Sequence, residues 1–355
     1  MADDADLEPS HAPSPADWKT RYAQARQSRD EARREAVNAR RAIHIARHEV
    51  LEPSTLQGLL PHRLRTLGAR ARAQNPDARD RSFRATCSAY VAAAEEWPVE
   101  CRNVDGLRWY MPVPASRAEG LADWFEKQHR FPYASILQSR DVSIGGVMLD
   151  IGANVGGTAI PRVILGDALA VYCAEAEPLN YHCLRLNVLE NGLAGFVLPD
   201  RVAITDRDGV VRLRRGRKHT GHHLVEDADA PGDVVEVPAC TLDTWVRRHA
   251  IDLDAVTFIK VDVEGHEQQV LDGAAAVLAR PHIAWQLEVW AAQLAAAGSS
   301  AAGVAAALAP RFTHYVDLRR DIPAPRVQPI AALDRVANEL DRVGGKTDIV
   351  VFNLA

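Results

Sequence analysis

From Val147 onward, short apolar runs alternate with longer mixed segments at the spacing of an α/β protein. Apolar or β-branched runs at 147–150, 170–174, 196–198 with 201–204, 210–214, 234–238, 257–262, 283–288, 312–317 and 348–353 predict strands. Between them, 158–165, 179–191, 241–249, 266–279, 291–308 and 331–341 carry the helical pattern. Asp208-Gly209, between two β-rich runs, predicts a hairpin. The last two strand segments would close the sheet, the final one antiparallel. The fold class expected is α/β, a doubly wound, mostly parallel sheet with an antiparallel last strand.

The chain before Val147 has a different texture. Residues 1–16 are acidic and rich in Pro and Ser, which predicts disorder. Residues 17–96 read as a helical extension; its first helix is capped by Asp17 and ended by Glu52-Pro53. Trp18, Ala25, Ala32, Ala39 and Ala46 form a thin heptad stripe, so this helix is expected to lie on its own domain or on a second subunit of a homodimer. Arg33-Arg34 and Arg40-Arg41 read as a solvated face, the alternative being an anionic partner. Over 97–146 we expect a hairpin turning at Asp105-Gly106, then a helix with Trp124, Phe125, Phe131 and Tyr133, together covering the mouth of the sheet domain, 147–355.

The first strand ends in Leu149-Asp150-Ile151-Gly152-Ala153-Asn154-Val155-Gly156-Gly157. In a doubly wound sheet this is the crevice where a nucleotide-like ligand lies, and glycines let the backbone turn tightly beside it. The Gly-x-x-x-Gly spacing lacks the middle glycine of a pyrophosphate loop, which weighs against NAD. Glu177 follows about 20 residues after the turn, where an acid bonds ribose hydroxyls; Pro178 suits the start of the next helix. Taken singly, Asp150 and Glu177 could be a turn acid and a helix-start acid. Together they favour a phosphate-free ligand with an amino group, such as S-adenosylmethionine.

Composition narrows the field. With 47% apolar residues, 25% charged and a net charge of −5, the chain has no global attraction for nucleic acid or membrane. The preference for Arg over Lys, with abundant Ala, reflects a GC-rich coding bias and carries little functional weight. The 5 cysteines are dispersed without metal-ligand spacing. No signal peptide or membrane-length apolar run is visible, so a cytoplasmic location is expected.

A second strand end, Ile259-Lys260-Val261-Asp262-Val263-Glu264-Gly265-His266-Glu267, delivers Asp262 and Glu264 beside the crevice, and Glu288 ends the next strand in the same direction. These acids could bind a substrate, orient a base or hold a divalent ion, or decorate a helix start. The loop Lys218-His219-Thr220-Gly221-His222-His223 supplies His222 and His223 as candidate general bases, with Asp262 as the alternative. No His-Glu-x-x-His or Cys-x-x-Cys supports zinc.

Between about 145 and 290 the chain resembles the FkbM-type S-adenosylmethionine-dependent methyltransferases. The resemblance is carried by Leu149–Gly156; Glu177-Pro178 with Leu186-Asn187 and Asn191; Val202–Asp206 with Gly209; Cys240-Thr241-Leu242-Asp243; and Ile259–Glu267 followed by Val270-Leu271-Asp272-Gly273-Ala274. Nothing before Trp97 takes part. It implies a Rossmann-like class I methyltransferase domain acting on hydroxyls of sugars or other secondary metabolites, so the partner is a small molecule or glycan and the product S-adenosylhomocysteine. It further implies that Asp150, Gly152, Asn154 and Gly156 surround the cofactor's methionine part, that Glu177 holds its ribose, and that Ala203 and Asp206 lie near its adenine. Asp262 and Glu264 would face the methyl group. Rival readings are a nucleic-acid methyltransferase using the Arg-rich helix, a non-catalytic cofactor-binding scaffold, and an NAD-dependent oxidoreductase.

Overall fold

The computed structural model describes residues 99–104, 107–112, 145–165, 167–214, 223–225, 234–319 and 326–354. The helical extension over 17–96, residues 1–16 and the aromatic helix expected after Pro112 lie outside the described residues. Of the 97–146 segment, β1 (Val99–Val104) and β2 (Leu107–Pro112) are described. They pair antiparallel, and Val104 opposite Leu107 leaves Asp105-Gly106 between them, as the sequence predicts.

The sheet domain runs β3 (Val147–Ile151), α1 (Ala159–Leu165), β4 (Ala170–Ala174), α2 (Pro178–Glu190), β5 (Val197–Asp200), β6 (Ala203–Ile204), β7 (Gly209–Arg214), β8 (His223–Val225) and β9 (Val234–Cys240). It continues with α3 (Leu242–Arg248), β10 (Val256–Val261), α4 (Glu267–Asp272), α5 (Ala275–Leu278), β11 (Ala284–Trp290), α6 (Ala291–Ala296) and α7 (Ala301–Leu308). β12 (His314–Asp317), β13 (Val327–Pro329), α8 (Leu333–Val343) and β14 (Lys346–Phe352) complete it.

Eight strands form the main sheet in the order β13-β12-β14-β11-β10-β3-β4-β5. β11, β10, β3, β4 and β5 are parallel, and β14 is antiparallel to both β11 and β12. The chain winds outward from β3 on one side and from β10 on the other, so the switch point lies between them. This is the doubly wound, Rossmann-like α/β fold the sequence predicts, reversed last strand included.

Strand alternation divides the core into two layers. Leu149, Ile151, Ile259, Val261, Trp285 and Trp245 fill one; Met148, Phe258, Ala284, Val350 and Phe352 join α1, α2 and the β1–β2 hairpin in the other. Asp150, Lys260 and Gln286 occupy alternate positions with Met148, Phe258 and Ala284, and sit opposite one another across three neighbouring strands. A polar row therefore crosses a layer that is otherwise apolar.

Three expectations need correction. β6 and β7 do not form a hairpin about Asp208-Gly209: β9 lies between them, parallel to β6 and antiparallel to β7, in a separate sheet ordered β6-β9-β7-β8. The helix expected over 266–279 is two helices, the first ending at Gly273, where a Cβ would come within 2.2 Å of the Thr205 carbonyl of the neighbouring loop. The helix expected over 291–308 breaks at Gly298 (φ +77), and Ser300 starts α7 by accepting the Gly303 N–H at 3.0 Å. Among the described residues no helix is long and apolar enough to cross a membrane.

Candidate active site

A cavity of about 290 Å³ opens at the carboxyl ends of β3, β4 and β10 and reaches across to β11 and β14. Its floor is the glycine turn. Gly152 has φ +80, and a Cβ there would lie 1.9 Å from the Asp262 carbonyl, so only glycine lets the two loops meet. Asn154 also adopts a left-handed backbone (φ +53); its N–H donates to Glu175 Oε2 at 2.7 Å. Strained non-glycine backbone of this kind persists where the surroundings hold it, and it gathers at ligand sites.

Glu175 immediately follows β4 and lines the cavity. Its second oxygen accepts the Glu177 N–H at 2.9 Å. Burial pushes its carboxyl from 4.5 up to about 7, against the lowering effect of these two backbone donors. Beside it, Val202, Ala203, Ile204 and Leu213 form an apolar wall contributed largely by the second sheet.

The opposite wall is the β10 end. Glu267, at the start of α4, accepts the N–H groups of Val263 (3.0 Å) and Gly265 (3.3 Å), folding the loop back on itself. Its own carboxyl is raised to about 7 by burial. Within this loop Glu264 has φ +55 and accepts from Gln293 Nε2 at 2.5 Å. Lys260 donates to Asp262 Oδ2 at 2.9 Å and lies 3.8 Å from Asp150 Oδ1. Burial opposes the Lys260 charge, but Asp262 and Asp150 outweigh it and hold the ammonium protonated. At the far end Glu288 pairs with Lys346, whose Nζ sits 4.8 Å above the Trp290 ring. Burial, then Asp262, push the Glu288 carboxyl upward against the pull of Lys346.

Of the residues the sequence nominates, Gly152, Asn154, Ala203, Asp262, Glu264 and Glu288 line this cavity. Asp150 does not. It lies within β3, one residue before the strand ends, fully buried, and meets the cavity only through Lys260. Gly156 (φ +91) faces Leu184 and Ile160, where its missing Cβ serves helix packing. Glu177 is 2% exposed and caps α2, its Oε2 accepting the Asn180 N–H at 2.6 Å. Asp206 is exposed and bonds Thr205 and Arg207. His222 lies outside the described residues; His223 is described only as the β8 partner of Arg214. Lys260, Glu175 and Lys346 were not foreseen as site residues. Glu175 had a legible signal, since it directly follows the predicted strand. Lys346 had none, because it comes from the last strand, far along the chain.

Of the acids considered for a divalent ion, Asp262 is met by Lys260, Glu288 by Lys346 and Glu264 by the Gln293 amide. Among the described residues, no three His, Cys, Asp or Glu side chains are grouped to hold a metal.

Residues 150–299 match the family described as the Methyltransferase FkbM domain, covering the glycine turn, Glu175, the β10 loop and Glu288. The chain is thus similar, over the matched stretch, to FkbM methyltransferase domains. Over 158 residues it is 26% identical to the 31-O-demethyl-FK506 methyltransferase FkbM of Streptomyces tacrolimicus, covering 36% of this chain and 59% of that protein. It thus spans little more than half of that relative's length. Among solved structures it is similar to methyltransferase FkbM from Methylobacillus flagellatus KT, with 17% identity, 59% of this chain and 44% of that one covered, and a TM-score of 0.37. It is also similar to P. horikoshii TYW2 in complex with MeSAdo, at 11% identity, 72% and 71% coverage and a TM-score of 0.38. Lys346 and the β1–β2 hairpin fall outside the FkbM match.

Proposed function

We propose that this FkbM-type domain is an S-adenosylmethionine-dependent methyltransferase that acts on a hydroxyl of a sugar or secondary metabolite. One observation carries the reading: a single cavity joins an apolar wall and a neighbouring acid, Glu175, to a cluster of acids at the ends of β10 and β11. The two halves match a flat nucleoside and a cationic centre. Val202, Ala203, Ile204 and Leu213 accommodate an adenine; Glu175, with an oxygen beside the turn, accepts from ribose hydroxyls; Asp262 and Glu264 face the positive end. When bound, the cofactor supplies an activated methyl group on a sulfonium.

The protein's own contributions are placement and proton handling. Holding an acceptor oxygen in line against the methyl group can supply a large part of the barrier reduction. Acids around the site favour the cationic cofactor over its neutral product, which promotes exchange after transfer. Glu288, near the end of β11, lines the cavity, and in the carboxylate form that Lys346 supports it is the group assigned to take the proton from the acceptor. The hydroxyl acceptor agrees with the name of the Streptomyces tacrolimicus relative, which gives 31-O-demethyl-FK506 as its substrate.

The test is calorimetric binding of S-adenosylhomocysteine and of NAD to the full chain. The first should bind and the second should not, and Glu175→Ala should weaken binding about tenfold or more. Binding of NAD alone would overturn the assignment.

A further inference from the structure

Lys260 is an unusual occupant of its position. It stands in the middle of a parallel sheet, 5% exposed, in a short polar row with Asp150 and Gln286 on a face that also carries Phe258, Met148 and Ala284. Burying an ammonium is costly unless it is partnered, and the partners here are unevenly arranged. Asp262 takes one N–H at 2.9 Å. Asp150, its register neighbour on β3, lies at 3.8 Å, close enough to supply charge but too far to take a hydrogen bond. An ammonium has three N–H donors. One is therefore used, a fully buried carboxylate behind holds the charge in place, and the front of the group lines the cavity.

We infer that Lys260 binds the carboxylate of the cofactor's amino-acid tail while the adjacent Asp262 binds its ammonium. Two opposite charges 2.9 Å apart on one cavity wall complement the zwitterion of an α-amino acid, in which carboxylate and ammonium sit on a single carbon. Asp150 then acts through Lys260 as a positioning residue; its complete burial is inconsistent with a direct grip on the ligand. The inference rests on the S-adenosylmethionine reading and adds to it which groups read the tail. It also explains why Lys260 and Asp150 face each other across adjacent strands.

Three ligands separate the contributions. S-adenosylhomocysteine carries the whole tail, S-adenosyl-3-thiopropylamine lacks only its carboxylate, and 5′-methylthioadenosine lacks the amino acid altogether. By calorimetry, the unmodified chain should bind S-adenosylhomocysteine about tenfold or more tightly than the thiopropylamine, the loss expected for one hydrogen bond between charged groups. In the charge-neutral pair Asp150→Asn/Lys260→Met that preference should fall below about threefold, while the affinity for 5′-methylthioadenosine stays within about threefold of the original. Lys260→Arg should retain the preference. Retained discrimination in the paired variant overturns the inference, as does equal binding of the two longer ligands by the unmodified chain; the latter comparison needs no variant to fold. If the unmodified chain binds none of the three, the cofactor assignment itself falls. If it binds all three without regard to the tail, only the role of Lys260 does.

Discussion

The side chain of Asn187 donates to the Val155 carbonyl at 2.8 Å, tying α2 to the glycine turn. The same amide closes a two-bond bridge to β2: its Oδ1 accepts the Tyr110 N–H at 2.6 Å and its Nδ2 donates to the Tyr110 carbonyl at 3.1 Å. One fully buried amide thus joins the hairpin, which lies outside the FkbM match, to the loop that floors the cavity.

Asn187→Ala would strand the backbone groups of Tyr110 and Val155 in the core, each at a cost of about 1–3 kcal/mol. Unfolding in urea should show a loss of about 2 kcal/mol or more, together with weaker binding of S-adenosylhomocysteine. A variant as stable as the parent would show that the bridge contributes nothing.

Gly152 and Gly195 share a left-handed backbone, at φ +80 and φ +90, but differ in surroundings. A Cβ at Gly195 meets nothing within 4 Å, so Gly195→Ala bears only the backbone penalty, about 1–2 kcal/mol. Gly152→Ala adds a collision with the Asp262 carbonyl and should be clearly more destabilising, with loss of cofactor binding. Equal effects on the denaturation midpoint would contradict the close approach of the two loops.

Glu175 and Glu267 both hold backbone N–H groups of the cavity loops, and burial raises both from 4.5 to about 7. The folded chain keeps these protons over a range where the unfolded chain releases them. Their contribution to stability is therefore full below about pH 4.5, declines as pH rises to about 7, and is level above that. Each accounts for at most about 3 kcal/mol between the two ends of the window. Glu175→Gln and Glu267→Gln should each shrink the difference in unfolding free energy between pH 5 and pH 8. An unaltered difference in both variants would falsify the raised values.

Lys346 and Glu288 should be energetically coupled. Lys346→Met leaves the buried Glu288 carboxyl without its counter-charge, while Glu288→Gln removes the need for one. A double-mutant cycle on stability should give a coupling of about 0.5–3 kcal/mol, the double variant being less destabilised than the sum of the single ones. Simple additivity would mean that the two side chains do not pair in solution.

Most of the sheet was legible because its signals are local. Apolar runs such as Val147–Ile151 and Val256–Val261 need no distant partner to be recognised, and Pro178 marks the start of α2 directly. The misreadings fall where a long-range contact decides. Asp208-Gly209 looks like a hairpin turn until β9 arrives from 30 residues later to separate β6 from β7. Gly273 and Gly298 interrupt Ala-rich stretches whose overall helix propensity hides the breaks. At the site, Glu-Ala-Glu-Pro offers two acids at strand spacing, but the chain leaves β4 after Ala174. Glu175 consequently meets the cavity, and Glu177 turns to cap the helix. Asp150 looked like a strand-end acid because the row it shares with Lys260 and Gln286 depends on strand order, which no stretch of sequence states.

The insertion of β14 between β11 and β12 has a consequence for how the molecule comes into being. Synthesis delivers the entire FkbM-matching stretch, and with it nearly every cavity residue, before the strand that supplies Lys346 exists. Until that strand arrives, β11 presents a long apolar border with unsatisfied peptide groups, a template for annealing with another nascent chain. Ribosome stalling or proteolytic clipping ahead of Lys346 would thus yield aggregates rather than a smaller working domain.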